Sequence, residues 1–198
     1  SGILRDKSLG ESVKLANEAA SIAVAKFGTA TVKRIEVNKK IYKNKKVCSL
    51  SELIEEIENS NLEKVGFTNG CFDLLHQGHL DYLKQSRGKC DFLILGLNSD
   101  LSVKRLKGEK RPILKQKERA EILSNFDFID RIVVFNEPTP INIIKKIKPT
   151  YLFKGGDYKR EQVVGSEEMK KWGGKVILIN YLKGKSTSKI IERIQNGT

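Results

Sequence analysis

The two histidines of this chain, His76 and His79, lie three residues apart around Gly78. They follow an apolar run that starts at Val65 and ends in a turn at Asn69-Gly70, and a helical pattern begins near Gly78. The sequence therefore predicts a strand, a tight turn and a helix start. Free backbone N–H groups and the helix dipole at such a turn attract an anion, most often a phosphate. Two imidazoles could donate to the same phosphate, so we predict an anion site rather than two solvated histidines.

A second helix start has similar chemistry near the end of the chain. A glycine turn at Gly184 is followed by three hydroxyl side chains, Ser186, Thr187 and Ser188. Ser and Thr are common N-caps, so the pattern alone is not specific. Together with the histidine turn it predicts two neighbouring helix N-termini that bind a polyphosphate. The spacing does not match a Walker P-loop.

Several charged residues lie between these two turns. A glycine-broken loop contains Lys104, Lys107, Lys110 and Arg111. Such a run is usually a solvated surface, but beside an anion site we expect some of these cations to neutralise a phosphoryl group or a sugar phosphate. Arg119, at a predicted helix start, could point into the same pocket or lie on the helix surface. Asp100 and Asp157 could bind a ribose or a metal, or serve as turn or N-cap residues.

The composition narrows the class of protein. The three cysteines, among 198 residues, show no CxxC spacing and predict reduced thiols in a cytoplasmic protein rather than disulfides or a zinc site. No apolar run is long enough to span a membrane. The net charge is +13, and residues 1–46 contribute +7 of it, from eleven basic and four acidic residues. Because Tyr42 is the one aromatic residue in the lysine-rich stretch 39–46, we predict a solvated linker and no nucleic-acid partner.

The hydrophobic pattern predicts the order of the elements. A helix over 8–27 precedes the linker, and Ser49 with Glu52 has the spacing of a capping box. Strands are predicted over 64–69, 91–97, 131–135, 150–154 and 175–180. Helices are predicted over 79–87, 117–125, 138–148, 161–172 and from Ser186, with a polar segment over 98–117.

Five strands that alternate with helices predict an α/β fold. We expect a doubly wound, Rossmann-like parallel sheet of five strands with helices on both faces, plus an N-terminal helical appendage. Ligands of such sheets bind beyond the carboxyl ends of the strands, at the switch point. The candidate residues follow the strands accordingly: the histidines the first, Asn98 to Asp100 the second, Gly155 to Asp157 the fourth and Gly184 to Ser188 the fifth.

Two motifs resemble known signatures. The stretch His76-Gln77-Gly78-His79 resembles the HxGH signature of the nucleotidyltransferase superfamily, and 186–190 resembles its second signature. Residues 67–76, 107–112 and 154–158, with Val164-Gly165, resemble the adenylyltransferase domain of the ADP-heptose synthase family over about 47–195. Relatives in the cytidylyltransferase branch carry an arginine just before the second signature, where this chain has Tyr181 and Leu182; this disfavours a cytidylyltransferase.

Residues 8–37 are similar to the closing helix and strand of a ribokinase-type sugar kinase, which precedes the adenylyltransferase in the bifunctional heptose enzymes. The resemblance implies that 1–46 is a kinase remnant without the kinase's catalytic GxGD element, and that 47–198 is the nucleotidyltransferase domain of a fragment. An Ala-rich helix over 8–27 that has lost its kinase also suggests a homodimer.

The resemblance implies transfer of AMP from ATP to D-glycero-β-D-manno-heptose 1-phosphate, with Mg²⁺ bridging phosphate oxygens and no dedicated protein metal site. It assigns catalysis to His76, His79, Lys104 and Arg111. The implied nucleotide-binding residues are Thr68, Asn69, Gly70, Phe72, Gly78, Gly156, Asp157, Ser186, Thr187 and Ser188. Substrate contacts are expected from Asp73, Asn98, Asp100, Lys107 and Arg119. Two alternatives remain: a glycerol-3-phosphate cytidylyltransferase or similar enzyme, and a non-catalytic nucleotide- or RNA-binding module.

Overall fold

The computed structural model describes residues 46–156 and 159–180, together with Ala16, Asn17 and Ala20. The chain divides into two units, Ser1–Lys46 and Val47–Thr198. In the described part of the second unit the strands are β1 (Val47–Cys48), β2 (Val65–Gly70), β3 (Phe92–Asn98), β4 (Arg131–Phe135), β5 (Tyr151–Gly155) and β6 (Lys175–Ile179). The α-helices are α1 (Leu50–Glu58), α2 (Gln77–Arg87), α3 (Asp100–Lys107), α4 (Gln116–Ser124), α5 (Ile141–Ile147) and α6 (Ser166–Lys170). A short 3-10 helix spans Arg160–Gln162.

The strands form one parallel sheet in the order β1-β4-β3-β2-β5-β6. From β2 the chain builds outward through β3 to β4, and then crosses back to add β5 and β6 on the other side of β2. The direction of winding therefore reverses between β2 and β5, which makes the carboxyl ends of these two strands the switch point. The predicted doubly wound α/β fold is confirmed.

The core lies on both faces of the sheet. All seven residues of β3 are buried, as its uninterrupted apolar run predicts. Because successive side chains of a strand point to opposite faces, Ile94 packs with Leu53 and Ile144 of α1 and α5, whereas Leu93 and Leu95 pack beside α2 and α4. Each fully buried Leu or Ile stabilises the fold by about 1.5–3 kcal/mol. The rigid sheet holds the strand ends that carry the candidate residues.

In the described part of the chain the sheet has six strands rather than the five predicted. The additional strand, β1, pairs with β4 at the edge of the sheet, with Val47 opposite Ile132 and Cys48 opposite Val133. Two residues are too few to show the alternation or the apolar run by which a strand is recognised in a sequence. The predicted capping box follows directly: Ser49 N donates to Glu52 Oε2 (2.7 Å), and Glu52 N donates to Ser49 Oγ (3.2 Å).

The polar segment 98–117 contains a helix that the sequence pattern did not predict. In α3, Ser99 is the N-cap, and its hydroxyl accepts from Ser102 N (3.2 Å). Three basic residues, Lys104, Arg105 and Lys107, complement the dipole of the last turn. The prediction of a loop around Lys104 and Lys107 was therefore wrong, because Gly108, with φ of +95°, ends the helix only after them.

The predicted helix 161–172 is divided in two. Gly165 lies between the 3-10 helix and α6 with φ of +95°, a left-handed conformation that interrupts the helix. Of the predicted helix 8–27, the described residues Ala16, Asn17 and Ala20 are helical. The predicted helix from Ser186 lies outside the described residues. No helix in the described part of the chain has the length and apolar character needed to cross a membrane.

Candidate active site at the switch point

The two histidines lie together at the start of α2, beyond the carboxyl end of β2. His76 is the N-cap residue, with an extended backbone (φ −142°, ψ 168°), and its carbonyl accepts from His79 N (2.9 Å). The rings stack with 3.9 Å between centroids and an interplanar angle of 28°. Phe72, in the left-handed region at φ +46°, tilts its ring against His79 at 5.2 Å. The turn thus holds two imidazoles at a helix N-terminus, where an anion is favoured.

His79 is a neutral imidazole at physiological pH. Burial lowers the pKa of His79 to about 4, and the nearby charges of His76 and Lys107 act in the same direction. Among the described residues, the buried Nδ1 atom of His79 has no hydrogen-bond partner. The ring is therefore held by packing, and it can offer a directed N–H group to a phosphate oxygen without carrying charge.

Asp73 fastens the loop after α3 to the histidine turn. Its side chain is 2% exposed and accepts from Arg111 Nε, from Ile113 N (2.7 Å) and from Leu114 N (3.0 Å). Arg111 is itself only 15% exposed, and its Nη2 atom is buried without a hydrogen-bond partner in the described part of the chain. Asp73 thereby fixes Arg111 through Nε and leaves Nη2 as a donor for a ligand.

Arg119 joins three loops at the carboxyl ends of the strands. It is completely buried, and its Nη1 atom donates to Cys71 O (2.6 Å) and Asn98 O (2.8 Å). Its Nε atom donates to Leu114 O (3.0 Å), and its Nη2 atom to Asp100 Oδ1 (2.8 Å). The alternative of a helix-surface arginine is therefore wrong, because the guanidinium is occupied by protein oxygens from the ends of β2 and β3.

On the other side of the switch point, β5 approaches β2. Lys154 Nζ donates to Asn69 Oδ1 (2.6 Å). Beyond β5, Gly156 N donates to Ile179 O (2.8 Å), and a Cβ atom at position 156 would lie only 2.6 Å from Asn180 Oδ1. The glycine therefore allows the ends of β5 and β6 to approach closely. Asp157, predicted beside it, lies outside the described residues, as do Ser186, Thr187 and Ser188.

The other predicted site residues differ in burial and in their hydrogen-bond partners. Thr68 is fully buried and its Oγ1 lies 2.7 Å from Tyr82 OH, which ties α2 to β2. Asn98 Nδ2 donates to Ser102 Oγ (2.9 Å), and Lys104 pairs with Glu109 at 2.5 Å. Lys107 is exposed at the end of α3. Gly70 ends β2, and Gly78 is the buried second residue of α2.

The comparisons with known proteins identify the family. Residues 67–193 match the family model described as cytidylyltransferase-like. The chain belongs to this cytidylyltransferase-like family. This confirms the likeness to nucleotidyltransferases that the HxGH turn predicts.

The chain is also similar to longer curated proteins. It is 47% identical to the bifunctional protein HldE of Pelobacter propionicus, over 98% of this chain and 41% of the relative. It is 48% identical to the bifunctional protein HldE of Campylobacter concisus, over 94% of this chain and 40% of the relative. The chain thus spans about two fifths of the length of the curated relatives it matches.

Solved structures show the same fold. The lipopolysaccharide core biosynthesis protein of Thermoplasma volcanium is 27% identical, with a TM-score of 0.51, over 62% of this chain and 98% of that one. Pantothenate synthetase of Thermus thermophilus shares the fold at 14% identity and a TM-score of 0.52, over 73% of this chain and 67% of that one.

Two features of the candidate site were not predicted from the sequence. The link between Lys154 and Asn69 joins residues 85 positions apart, and it is seen only once β5 lies beside β2. The hydrogen bond between Thr68 and Tyr82 was also not predicted, although Tyr82 is the one tyrosine of α2. The signal that could have revealed this hydrogen bond was a threonine in a buried strand, Thr68, followed by a tyrosine on the next helix, Tyr82.

Proposed function

We propose that this chain transfers AMP from ATP to D-glycero-β-D-manno-heptose 1-phosphate, giving ADP-heptose and pyrophosphate. The observation that carries the proposal is the stacked pair of His76 and His79 at a helix N-terminus on the switch point. The identity to the bifunctional proteins HldE, and to a protein of lipopolysaccharide core biosynthesis, supports the heptose acceptor.

In the proposed reaction, an oxygen of the acceptor's phosphate attacks the α-phosphorus of ATP in line. The bond from that phosphorus to the bridging oxygen breaks, and pyrophosphate leaves with the electron pair. No covalent enzyme intermediate is needed, so the protein contributes position and positive potential. His76 and His79 donate to oxygens around the α-phosphorus, where negative charge develops.

The cations of the site carry the positive potential. Arg111, fixed through Asp73, directs its remaining Nη2 donor at a phosphate oxygen. Lys107 lies close enough to His79 to lower its pKa, and it serves the same anion. Lys104, on the same helix, can leave its exposed partner Glu109 for a substrate phosphate at little cost in free energy. Arg119 positions the loops and does not contact the substrate.

The nucleotide lies along the ends of β2 and β5. Asn69, Gly70, Phe72 and Gly78 line it on the β2 side, and Gly156 on the β5 side. Asp157 belongs to the same proposed set, with Ser186, Thr187 and Ser188 for the leaving pyrophosphate. Asn98 and Asp100 form the β3 side of the acceptor site, with Thr68 and Asp73 supporting the turn.

Mg²⁺ would neutralise the triphosphate in this reaction. Among the described residues, no group of three or more His, Cys, Asp or Glu side chains could hold a metal. The ion would therefore be held mainly by phosphate oxygens and water, as Mg²⁺ often is in such sites.

Residues 1–46 we assign to the remnant of a ribokinase-like domain and 47–198 to the nucleotidyltransferase domain. A homodimer formed through the stretch 8–27, which the sequence predicts to be helical, is part of the proposal. Cys71 and Cys90 are free thiols, which suits a reducing cytoplasm.

A pyrophosphate-release assay tests the proposal. The chain is mixed with Mg²⁺ and either ATP or CTP, and with heptose 1-phosphate, glucose 1-phosphate or glycerol 3-phosphate as acceptor. We expect release with ATP and heptose 1-phosphate, and a loss of about 10²-fold in kcat for His79→Ala, as for one preorganised donor. Lys117→Met, an exposed change at the start of α4, is the control. Release only with CTP and glycerol 3-phosphate would favour the cytidylyltransferase alternative, and none with any pair would leave a binding module.

A further inference from the structure

A lysine and an asparagine meet across the switch point. Lys154, on β5, donates its ammonium to Asn69 Oδ1 at 2.6 Å and approaches Asn69 O at 3.5 Å. Each residue lies one position before a glycine that ends its strand, Gly155 and Gly70. The pair therefore stands at the carboxyl ends of the two strands between which ligands of this fold bind.

The ammonium determines which way the Asn69 amide faces. An ammonium group only donates hydrogen bonds, so the atom that Lys154 contacts must be the acceptor Oδ1 and not Nδ2. The Nδ2 group, with its two N–H donors, must then face away from Lys154. Asn69 is half-buried, and its Nδ2 donates no hydrogen bond to any residue in the part of the chain that the structure describes. A donor at the switch point is thus oriented and available.

We propose that Lys154 is a positioning residue, which holds the Asn69 amide so that its N–H donors bind a phosphate or hydroxyl oxygen of a substrate. The inference rests on the proposed function. The oxygen belongs to ATP or to the acceptor, and the two have the same hydrogen-bonding chemistry here. Without the lysine the amide can rotate, and its carbonyl oxygen would then repel the substrate oxygen.

The decisive variant is Asn69→Asp. It has nearly the same shape and keeps the link to Lys154, now as an ion pair, but it replaces the two donors by a carboxylate oxygen. We expect the melting temperature to change by less than about 2 °C and the KM of one substrate to rise about tenfold or more, as for loss of one hydrogen bond to a charged group. Separate titrations of ATP and heptose 1-phosphate, with calorimetric binding of ATP, show which substrate supplies the oxygen.

A double-mutant cycle tests whether Lys154 acts through Asn69. Lys154→Met should raise the same KM by up to about tenfold in the wild-type background and have no further effect in the Asn69→Ala background. Lys175→Met, an exposed lysine at the opposite end of the sheet, is the matched control and should behave as the wild type.

The outcomes are separable. If the wild-type chain releases no pyrophosphate with any acceptor, the proposed function has failed. If the wild type is active and Asn69→Asp has unchanged kinetics, the link only joins β2 to β5 and the inference is wrong. If Lys154→Met and Asn69→Ala reduce activity independently, Lys154 contacts the substrate itself and the positioning role is wrong.

Discussion

Replacing the buried Arg119 by methionine is expected to destabilise the loops at the carboxyl ends of the strands, where the candidate site lies. The guanidinium donates to Leu114 O, Cys71 O and Asn98 O at 2.6–3.0 Å, and to the Asp100 carboxylate at 2.8 Å. Methionine has a similar length but no donor. Each hydrogen bond from a charged group contributes about 1.5–3 kcal/mol, and breaking a buried pair costs about 3–5 kcal/mol. Since water can reach part of the half-exposed Asp100, we expect a loss of about 4 kcal/mol.

Urea denaturation and thermal melting measure this loss. For a unit of about this size, 1 kcal/mol shifts the melting temperature by about 2–4 °C, so Arg119→Met should melt about 8–16 °C below the wild type. The value of kcat/KM in the pyrophosphate assay should fall as well, because the ends of β2 and β3 lose their common partner. Lys117→Met, an exposed change two residues earlier on the same helix, is the control.

The conservative variant Arg119→Lys sharpens the test. Lysine keeps the charge but lacks the planar fork, so it can restore only part of the set of bonds and should recover less than half of the lost stability. An Arg119→Met protein whose unfolding free energy lies within about 1 kcal/mol of the wild type would refute the assignment of Arg119 as the joint of these loops.

Three further predictions follow from single contacts. Because the pKa of His79 is about 4 in the folded chain and about 6.5 when unfolded, the unfolded state binds more protons between these values. The unfolding free energy should therefore fall as the pH falls from about 6.5 to about 4. In urea titrations, His79→Gln should remove about 2 kcal/mol of that fall. If the unfolding free energy of the variant depends on pH as steeply as that of the wild type, burial does not lower the pKa of His79. Asp73→Asn should lower the unfolding free energy by about 3 kcal/mol, because it removes the buried ion pair with Arg111. Glu109→Gln, in an exposed pair, should change it by less than about 0.5 kcal/mol. Equal effects of the two variants in chemical denaturation would contradict the role of Asp73 in holding Arg111. Gly165→Ala should lower stability by about 1–3 kcal/mol, because φ is +95° and the new Cβ would crowd the side chain of Ile144. Gly88→Ala, at φ −64°, should be neutral. Melting curves measure both variants, and an unchanged melting temperature for Gly165→Ala would show that alanine is not strained there.

The sequence predicts this fold well where burial is extensive and poorly where it is slight. The strand β3 is buried along its whole length, so its apolar run is unmistakable. The helix α3 was missed because it buries only Ser102 and Val103, while Leu101 and Leu106 are 59% and 54% exposed. A helix without an apolar stripe gives no periodic signal, and α3 is instead defined by its cap, its dipole charges and its place in the sheet.

The candidate site follows the same division. The histidine turn is contiguous in sequence, so residue type and spacing were enough to predict that both imidazoles lie at one helix start. The role of Arg119 could not be predicted, because three of its four partners are main-chain carbonyls, at positions 71, 98 and 114, which have no side-chain signature. Interactions with main-chain atoms become predictable only when the strand order is known.

The lowered pKa of His79 distinguishes two kinds of hydrogen-bond donor at the site: a neutral imidazole, and the charged side chains of Arg111 and Lys107. The burial that packs its ring against Phe72 and His76 also disfavours a charged imidazolium. In the proposed reaction the histidines therefore supply direction, with N–H groups fixed by stacking, and we assign the positive potential to the guanidinium of Arg111 and the ammonium of Lys107. A charged imidazolium at His79 would be disfavoured by burial and by the nearby positive charge of Lys107. A neutral ring can hold its stacked geometry before a phosphate binds, and the proposed stabilisation of a phosphoryl group requires such preorganisation.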